Sequence, residues 1–271
     1  MIDSERIAGH ETDQGWKAVD ADPARGVQTA LRALSILETF TSEKPTMGLT
    51  EISEEVQLSV PTVHRLLKAL SSRDLVVLDP TTRRYSLGHG VMRMAKVIME
   101  RDDLINIAHP GLERLRSETM ETVSLQTVLG DQRVPTIELT SPHAIRMTSG
   151  VGTPYSLVRG AAGKAILAFL PQRDVDRLIP TSAEPAELAV ELARVRELGY
   201  ALSSGEVVPG AAATAAPILD SQGVAIAAIN VTGPAVRFTE ERVMAAVPAL
   251  LEVTDGITRL LGGAVVSRSA G

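Results

Sequence analysis

Val63, Leu66, Leu67 and Leu70 recur at i, i+3, i+4 and i+7, and directly behind them the period changes to two short β-rich runs, LVVLD and RRYSL, around the turn DPTT. The first pattern draws one apolar stripe along a helix, and the second draws a hairpin. Few folds accommodate a short amphipathic helix that runs straight into a hairpin. Upstream, LTEISEEV predicts a preceding helix with Thr50 as its N-cap, and Gln57-Leu58-Ser59 a turn into the next. Ser59 is the expected N-cap of that second helix, and Pro61 sits in its first turn, where a missing N–H costs little. Two short helices across a tight turn, followed by a hairpin, have the layout of a winged helix-turn-helix.

The charges fall where such a module would use them. Pro61, Arg65 and Lys68 lie opposite the apolar stripe, Thr62 and His64 lie on its flanks, and Arg83 and Arg84 stand beside the hairpin tip. The whole chain carries a formal net charge of -6, yet residues 25–101 hold 11 Lys/Arg against 8 Asp/Glu. Their neighbours are acidic: residues 1–24 hold 2 against 6, and residues 102–271 hold 14 against 19. A basic module in an acidic chain fits a polyanion partner, here double-stranded DNA. On this placement Arg65, Lys68, Arg83 and Arg84 neutralise phosphates, Thr62 and His64 reach base edges, and Val60 and Pro61 meet thymine methyls. The competing view, a packing motif with a merely solvated face, leaves the coincidence of two basic elements unexplained.

Elsewhere the periods alternate. Val27, Ala30, Leu31, Leu34, Leu37 and Phe40 predict a first helix, and residues 1–24, without periodicity, are expected to be a disordered tail. HGVMRMAKVIMERDDL predicts a bridging helix over 88–102. After it come the helix LINIAHPGLERLRSET and the strands TVSLQTVLG and RVPTIELT, then the helices AAGKAILAFL and AELAVELARVRELG. Strands return in YALSSGE, AAATAAPIL and GVAIAAINVTG, before the closing helix TEERVMAAVPALLEVTDGITRLL. The expected organisation is α+β: a winged helix-turn-helix domain over 25–87, the linker helix, a sheet domain over 103–263 and a tail over 264–271.

Several function classes drop out. There is no cysteine, so disulfides, thiolate zinc sites and cysteine nucleophiles are excluded. The five histidines, at 10, 64, 89, 109 and 143, show no i, i+4 pair, and neither G-x-S-x-G nor H-E-x-x-H occurs. GAAGKA lacks the leading glycine and the Ser/Thr of a phosphate loop. No metal, no cofactor and no catalysis are therefore expected. No apolar run approaches the roughly 18 residues of a membrane span, and the N-terminus has no signal core, so a soluble cytoplasmic protein is expected.

ALRALSILETF, LTEIS, TVHRLLKAL, RRYSLG, LERLRSETMETVSL, GKAILAFL, LARVRELGYA, GEVVPG, AAPILDSQGVAIAAINVTGP and LLGG follow one another in this order. From about Arg25 to Gly263 the chain thereby resembles the IclR family of bacterial transcriptional regulators. The resemblance implies a winged-helix DNA-binding domain joined by a linker helix to a GAF-like antiparallel sheet flanked by helices, which binds an effector. It also implies a regulator, repressor or activator, acting as a homodimer or homotetramer on roughly palindromic operators. Family recognition helices usually begin Gly-Leu-Pro-Lys-Ser-Thr; here Gln57-Leu58-Ser59-Val60-Pro61-Thr62 takes that place, which implies a different operator preference.

For the pocket, the resemblance implies backbone amides of Ala161 and Ala162, ahead of Gly163-Lys164, and side chains at Ser203, Ala213, Asn230 and Thr232. Members that bind oxo acids carry Asp, Cys, Ser and Ser at the last four positions, so a changed ligand is expected. Leu125, Met147, Leu157 and Ala213 are candidate apolar walls suited to an aromatic or branched acid, and Arg146 or Arg159 candidate partners for its carboxylate. Glu206, which fits the family's GEVVPG pattern, is expected to cap or orient the adjoining loop. Two alternatives stay open: a DNA binder without an effector, and an enzyme.

Overall fold

The computed structural model describes residues 23–266 apart from 42, 102 and 183, without the side chains of 23–26 and 98–101. The tail expected over 1–24 falls almost wholly outside the described residues, as does most of that over 264–271. Helix α1 (Pro23–Glu38) begins four residues ahead of the predicted start at Val27, so residues 23 and 24 are helical. The described chain forms two compact units that divide between Ile98 and Met99. That division lies within helix α4 (His89–Arg101), inside the span expected to be the linker.

In the first unit, strand β1 (Met47–Gly48) runs directly into α2 (Leu49–Glu55), followed by α3 (Val60–Ser71), β2 (Val76–Leu78) and β3 (Arg84–Leu87). The three strands form an antiparallel sheet in the order β1-β3-β2. Gly48, not Thr50, is the N-cap of α2: its N–H donates to Glu51 Oε2 at 2.9 Å, and Thr50 lies inside the helix. The shift has a cause in β1, which holds Gly48 opposite Arg84 and so fixes where the helix can start. Ser59 does stand at the N-cap of α3, although its hydroxyl meets that of Thr62 at 2.9 Å rather than a backbone amide. Val63, Leu66, Leu67 and Leu70 are buried against Ile36, Ile52, Val76 and Tyr85, so the stripe read from the sequence is the core of this unit.

The second unit contains α5 (Asp103–Thr119), β4 (Thr122–Leu129), β5 (Gln132–Leu139), β6 (Tyr155–Ser156), α6 (Gly160–Leu167) and α7 (Gln172–Leu178). It continues with α8 (Pro185–Leu198), β7 (Ala201–Ser204), β8 (Ala211–Leu219), β9 (Ala225–Pro234) and α9 (Glu240–Leu260). Six strands pair antiparallel in the order β6-β5-β4-β9-β8-β7. Alternation along the strands separates two cores. Leu125, Ile229 and Val231 pack with Leu112 and Leu115 of α5 and Leu250 and Ile257 of α9. On the opposite face Ala215 and Ala228 pack with Ala165 and Ile166 of α6 and Leu192 of α8. Each fully buried leucine or isoleucine stabilises the fold by roughly 1.5–3 kcal/mol. β1, β6 and α7 went unread in the sequence: each strand is two residues long, and α7 buries only Val175 and Leu178, too few to establish a period.

Candidate functional site

Helix α3 turns its apolar stripe inward and presents the opposite side to solvent. His64, Arg65, Lys68 and Pro61 are exposed, Val60 is 41% exposed, and Thr62 is half-buried. Among the described residues no carboxylate pairs with His64, Arg65, Lys68 or Arg83, so three cationic side chains and one imidazole stay open to a partner. A five-residue loop joins β2 to β3, and Asp79 closes it: Thr81 N–H and Thr82 Oγ1 both donate to its carboxylate at 2.8 Å. The Thr82 hydroxyl, then the Thr81 amide, hold the Asp79 carboxyl below its ordinary pKa. Arg83 ends this loop in the left-handed region, at φ 57, exposed at the wing.

Arg84 sits differently from its neighbour. Its Nη2 meets Glu51 Oε2 at 2.7 Å and donates to the Thr46 carbonyl at 3.0 Å, while Nη1 reaches Glu51 Oε1 at 3.2 Å. The Gly48 amide first, and then Arg84, draw the Glu51 carboxyl below its ordinary range. A guanidinium held by a carboxylate fork ties the root of the wing to the start of α2. Sequence spacing could not separate Arg83 from Arg84, because the acid that engages Arg84 lies 33 positions away.

In the second unit the sheet face below α6 opens into a cavity. Ala161, Ala162, Ser203, Ala213, Asn230 and Thr232 line it together with Met147, and its atom-free space, mouth included, is about 530 Å³. The registers explain the grouping. Thr232 pairs with Ala213, Ala213 with Ser203, and Ser124 with Asn230, so these side chains share one face across four strands. Leu125 is a correction: it is fully buried in the core on the other face, with α5 and α9. Strand alternation turns Gln126 to the cavity and Leu125 away from it. Leu157 is likewise core, and Arg146 and Arg159 are exposed and do not line the cavity.

The N-terminus of α6 forms one end of the cavity. Gly160 has φ 77, and a Cβ there would stand 2.7 Å from Val207 Cγ2. A Cβ on Gly163 would stand 2.7 Å from the Leu157 carbonyl oxygen, so the glycines of GAAGKA serve close packing. Glu206 accepts from the Gly160 N–H at 2.9 Å and from Lys164 Nζ at 2.7 Å. Lys164 is 4% exposed and also meets Glu191 at 2.8 Å. Burial alone would raise the Glu206 carboxyl, but Lys164 and the Gly160 amide outweigh it and hold the group below its ordinary pKa. Sequence reasoning missed Gln126, Arg133 and Tyr155 in the cavity lining. The available signal was a charged residue at an inward position of a strand.

The sequence profile of the IclR helix-turn-helix domain matches residues 29–80, and that of the C-terminal domain of the bacterial transcriptional regulator IclR matches residues 96–259. The chain belongs to the IclR family. It is 32% identical over 242 residues to the HTH-type transcriptional regulator BhcR of Paracoccus denitrificans, covering 86% of each chain. To the HTH-type transcriptional repressor AllR of Escherichia coli it is 28% identical over 248 residues, covering 88% of this chain and 92% of AllR. An IclR homologue from Microbacterium hydrocarbonoxydans, solved with 4-hydroxybenzoate, shares the fold at a TM-score of 0.75 and 22% identity, over 86% of this chain and 98% of that one. Helix α3 lies within the IclR DNA-binding match and the cavity within the C-terminal match, while Arg83 and Arg84 fall just beyond the former. Among the described residues no helix is long and apolar enough to cross a membrane. IclR proteins are transcriptional regulators, and the chain is one of them.

Proposed function

We propose that the chain is a cytoplasmic, ligand-responsive repressor, a homodimer or homotetramer whose α3 helices enter the major groove of an operator and whose cavity takes a small organic acid. Thr62 and His64 contact base edges, with Val60 and Pro61 beside them, and Arg65, Lys68 and Arg83 neutralise phosphates. Arg84 fixes the wing that carries Arg83 and adds no free charge. One observation carries the effector reading: residues from α6, β7, β8, β9 and the chain near Met147, far apart in sequence, converge on a single cavity. Asn230, 6% exposed, offers that cavity a carboxamide with no hydrogen bond to any described residue. That the fold has room for a small acid accords with the Microbacterium neighbour, which was solved with one.

Fluorescence anisotropy on the DNA upstream of the protein's own gene, across a salt series and with a panel of aromatic, branched and oxo acids, tests this. Tight, salt-sensitive binding that one acid shifts is the expected result. Binding that no small molecule shifts would leave a DNA regulator without an effector. Coupling is reciprocal, so the operator must change acid affinity by the factor by which the acid changes operator affinity, typically about 5–150-fold.

A further inference from the structure

The cavity floor contains a cation without a counter-ion. Arg133 projects from β5 and is 4% exposed. Its Nη1 donates to Gln126 Oε1 and its Nη2 to the Arg159 carbonyl at 3.4 Å, while its Nε is buried with no acceptor at all. The guanidinium lies over the Tyr155 ring, 5.0 Å from the centroid. Burial pushes its pKa down to about 10, still far above neutrality, so the charge remains. Among the described residues no carboxylate pairs with it.

The neighbouring groups deepen the imbalance. A Cβ on Gly160 would stand 3.2 Å from Arg133 Nη2, so the cation abuts the first turn of α6. Ala161 and Ala162 of that turn line the same cavity, and the amides at a helix start carry partial positive charge. The nearby acids are committed elsewhere. Glu206 holds Lys164 and the Gly160 amide, and Glu138 accepts from the amides of Ser149 and Gly150 at 2.6 and 3.4 Å. A buried cation facing a helix N-terminus, with its Nε unsatisfied, describes half of an ion pair.

We infer that Arg133 is the carboxylate anchor of the cavity and that the effector is a monocarboxylic acid with an uncharged hydroxyl or carbonyl group at its far end. The inference rests on the ligand-responsive reading above and specifies its ligand. One unpaired positive charge calls for one negative charge. A second carboxylate would meet Glu206 and find only the neutral Ser203, Asn230 and Thr232 among the polar lining of the far strands. The floor leads from the anchor to that end: Arg133 bonds Gln126, Gln126 Nε2 donates to Ser124 Oγ at 3.1 Å, and Ser124 pairs with Asn230. Met147, Val207, Val208 and Ala213 give the body of the ligand apolar walls.

The test uses the full chain and matched probes: benzoate and 3-methylbutanoate, their neutral amides, and the dicarboxylate terephthalate, by thermal melting and calorimetry. In the wild type the monocarboxylates raise Tm above the amides and the dicarboxylate. Arg133→Met abolishes that preference, weakening acid binding on the order of 10–100-fold, and Arg133→Lys keeps part of it. Without ligand, Arg133→Met melts no lower than the wild type, because it replaces an unpaired buried charge with an apolar chain of similar length. Equal response to acids and amides in the wild type overturns the inference, as does an acid preference that survives in Arg133→Met, or a ligand-free Arg133→Met that melts several degrees lower. Ala213→Trp, which fills the cavity, separates the two levels. Acids that still bind Arg133→Met but not Ala213→Trp remove the anchor and leave the cavity, whereas acids that bind Ala213→Trp as they bind the wild type remove the cavity reading itself.

Discussion

Two adjacent arginines show how far a single residue can be interpreted alone. Arg83 and Arg84 are chemically identical and one position apart, yet one is exposed with no ion-pair partner among the described residues and the other holds Glu51 at 2.7 Å. Arg65→Ala is therefore expected to weaken binding to all DNA sequences and lower the salt slope by about 1, whereas Arg84→Ala should leave the slope nearly unchanged while lowering Tm through the wing. Anisotropy at four or five salt concentrations separates the two. In the cavity, Asn230→Ala removes a carboxamide that has no hydrogen-bond partner among the described residues. Its expected effect is a rise of about tenfold in the effector Kd with an unchanged circular dichroism spectrum; a collapse of the spectrum would make Asn230 a packing residue instead.

For secondary-structure elements, legibility followed length. α3, α5, α8, α9 and strands β4, β5, β8 and β9 were read from period because each repeats its apolar pattern at least twice. β1, β6 and α7 do not, and the true N-cap of α2 was hidden because strand pairing, not local preference, selected Gly48 over Thr50. Leu125 shows the remaining gap within a correctly read strand. The run TVSLQTVLG alternates, but alternation alone does not say which face meets α6 and which meets α5 and α9. Leu125→Ala should cost roughly 2–5 kcal/mol of stability as a core cavity, read as a lower midpoint in urea at an unchanged m-value. Acid binding relative to folded protein should not move, since the side chain lies on the far side of the sheet.

Across the whole molecule, the pair of buried Lys164 and half-buried Glu206 links the cavity rim to α6 and gives stability a pH dependence. Glu206 has its carboxyl below the ordinary 4.5, so its contribution is complete above that value and is lost as pH falls through the lowered folded-state pKa. Thermal melts between pH 7 and pH 3 should accordingly show a shallower acid decline in Glu206→Gln than in the wild type, from a lower starting Tm at pH 7. Parallel curves would assign the acid sensitivity to other carboxylates. By itself the sequence determined the family, the two modules and the basic face of α3, because period, turn chemistry and charge are local and survive without coordinates. It also named Ala161, Ala162, Ser203, Ala213, Asn230 and Thr232, through a resemblance whose motifs keep their order along the chain, and Met147 as an apolar wall, and all of them line the cavity. Only the tertiary structure decided that Arg84 is neutralised, that Leu125 faces the helices, and that Arg133 stands buried and unpaired beside α6. Each of those facts is a contact between strands or helices distant in sequence, and the free energy of a charge or a side chain is set by what surrounds it.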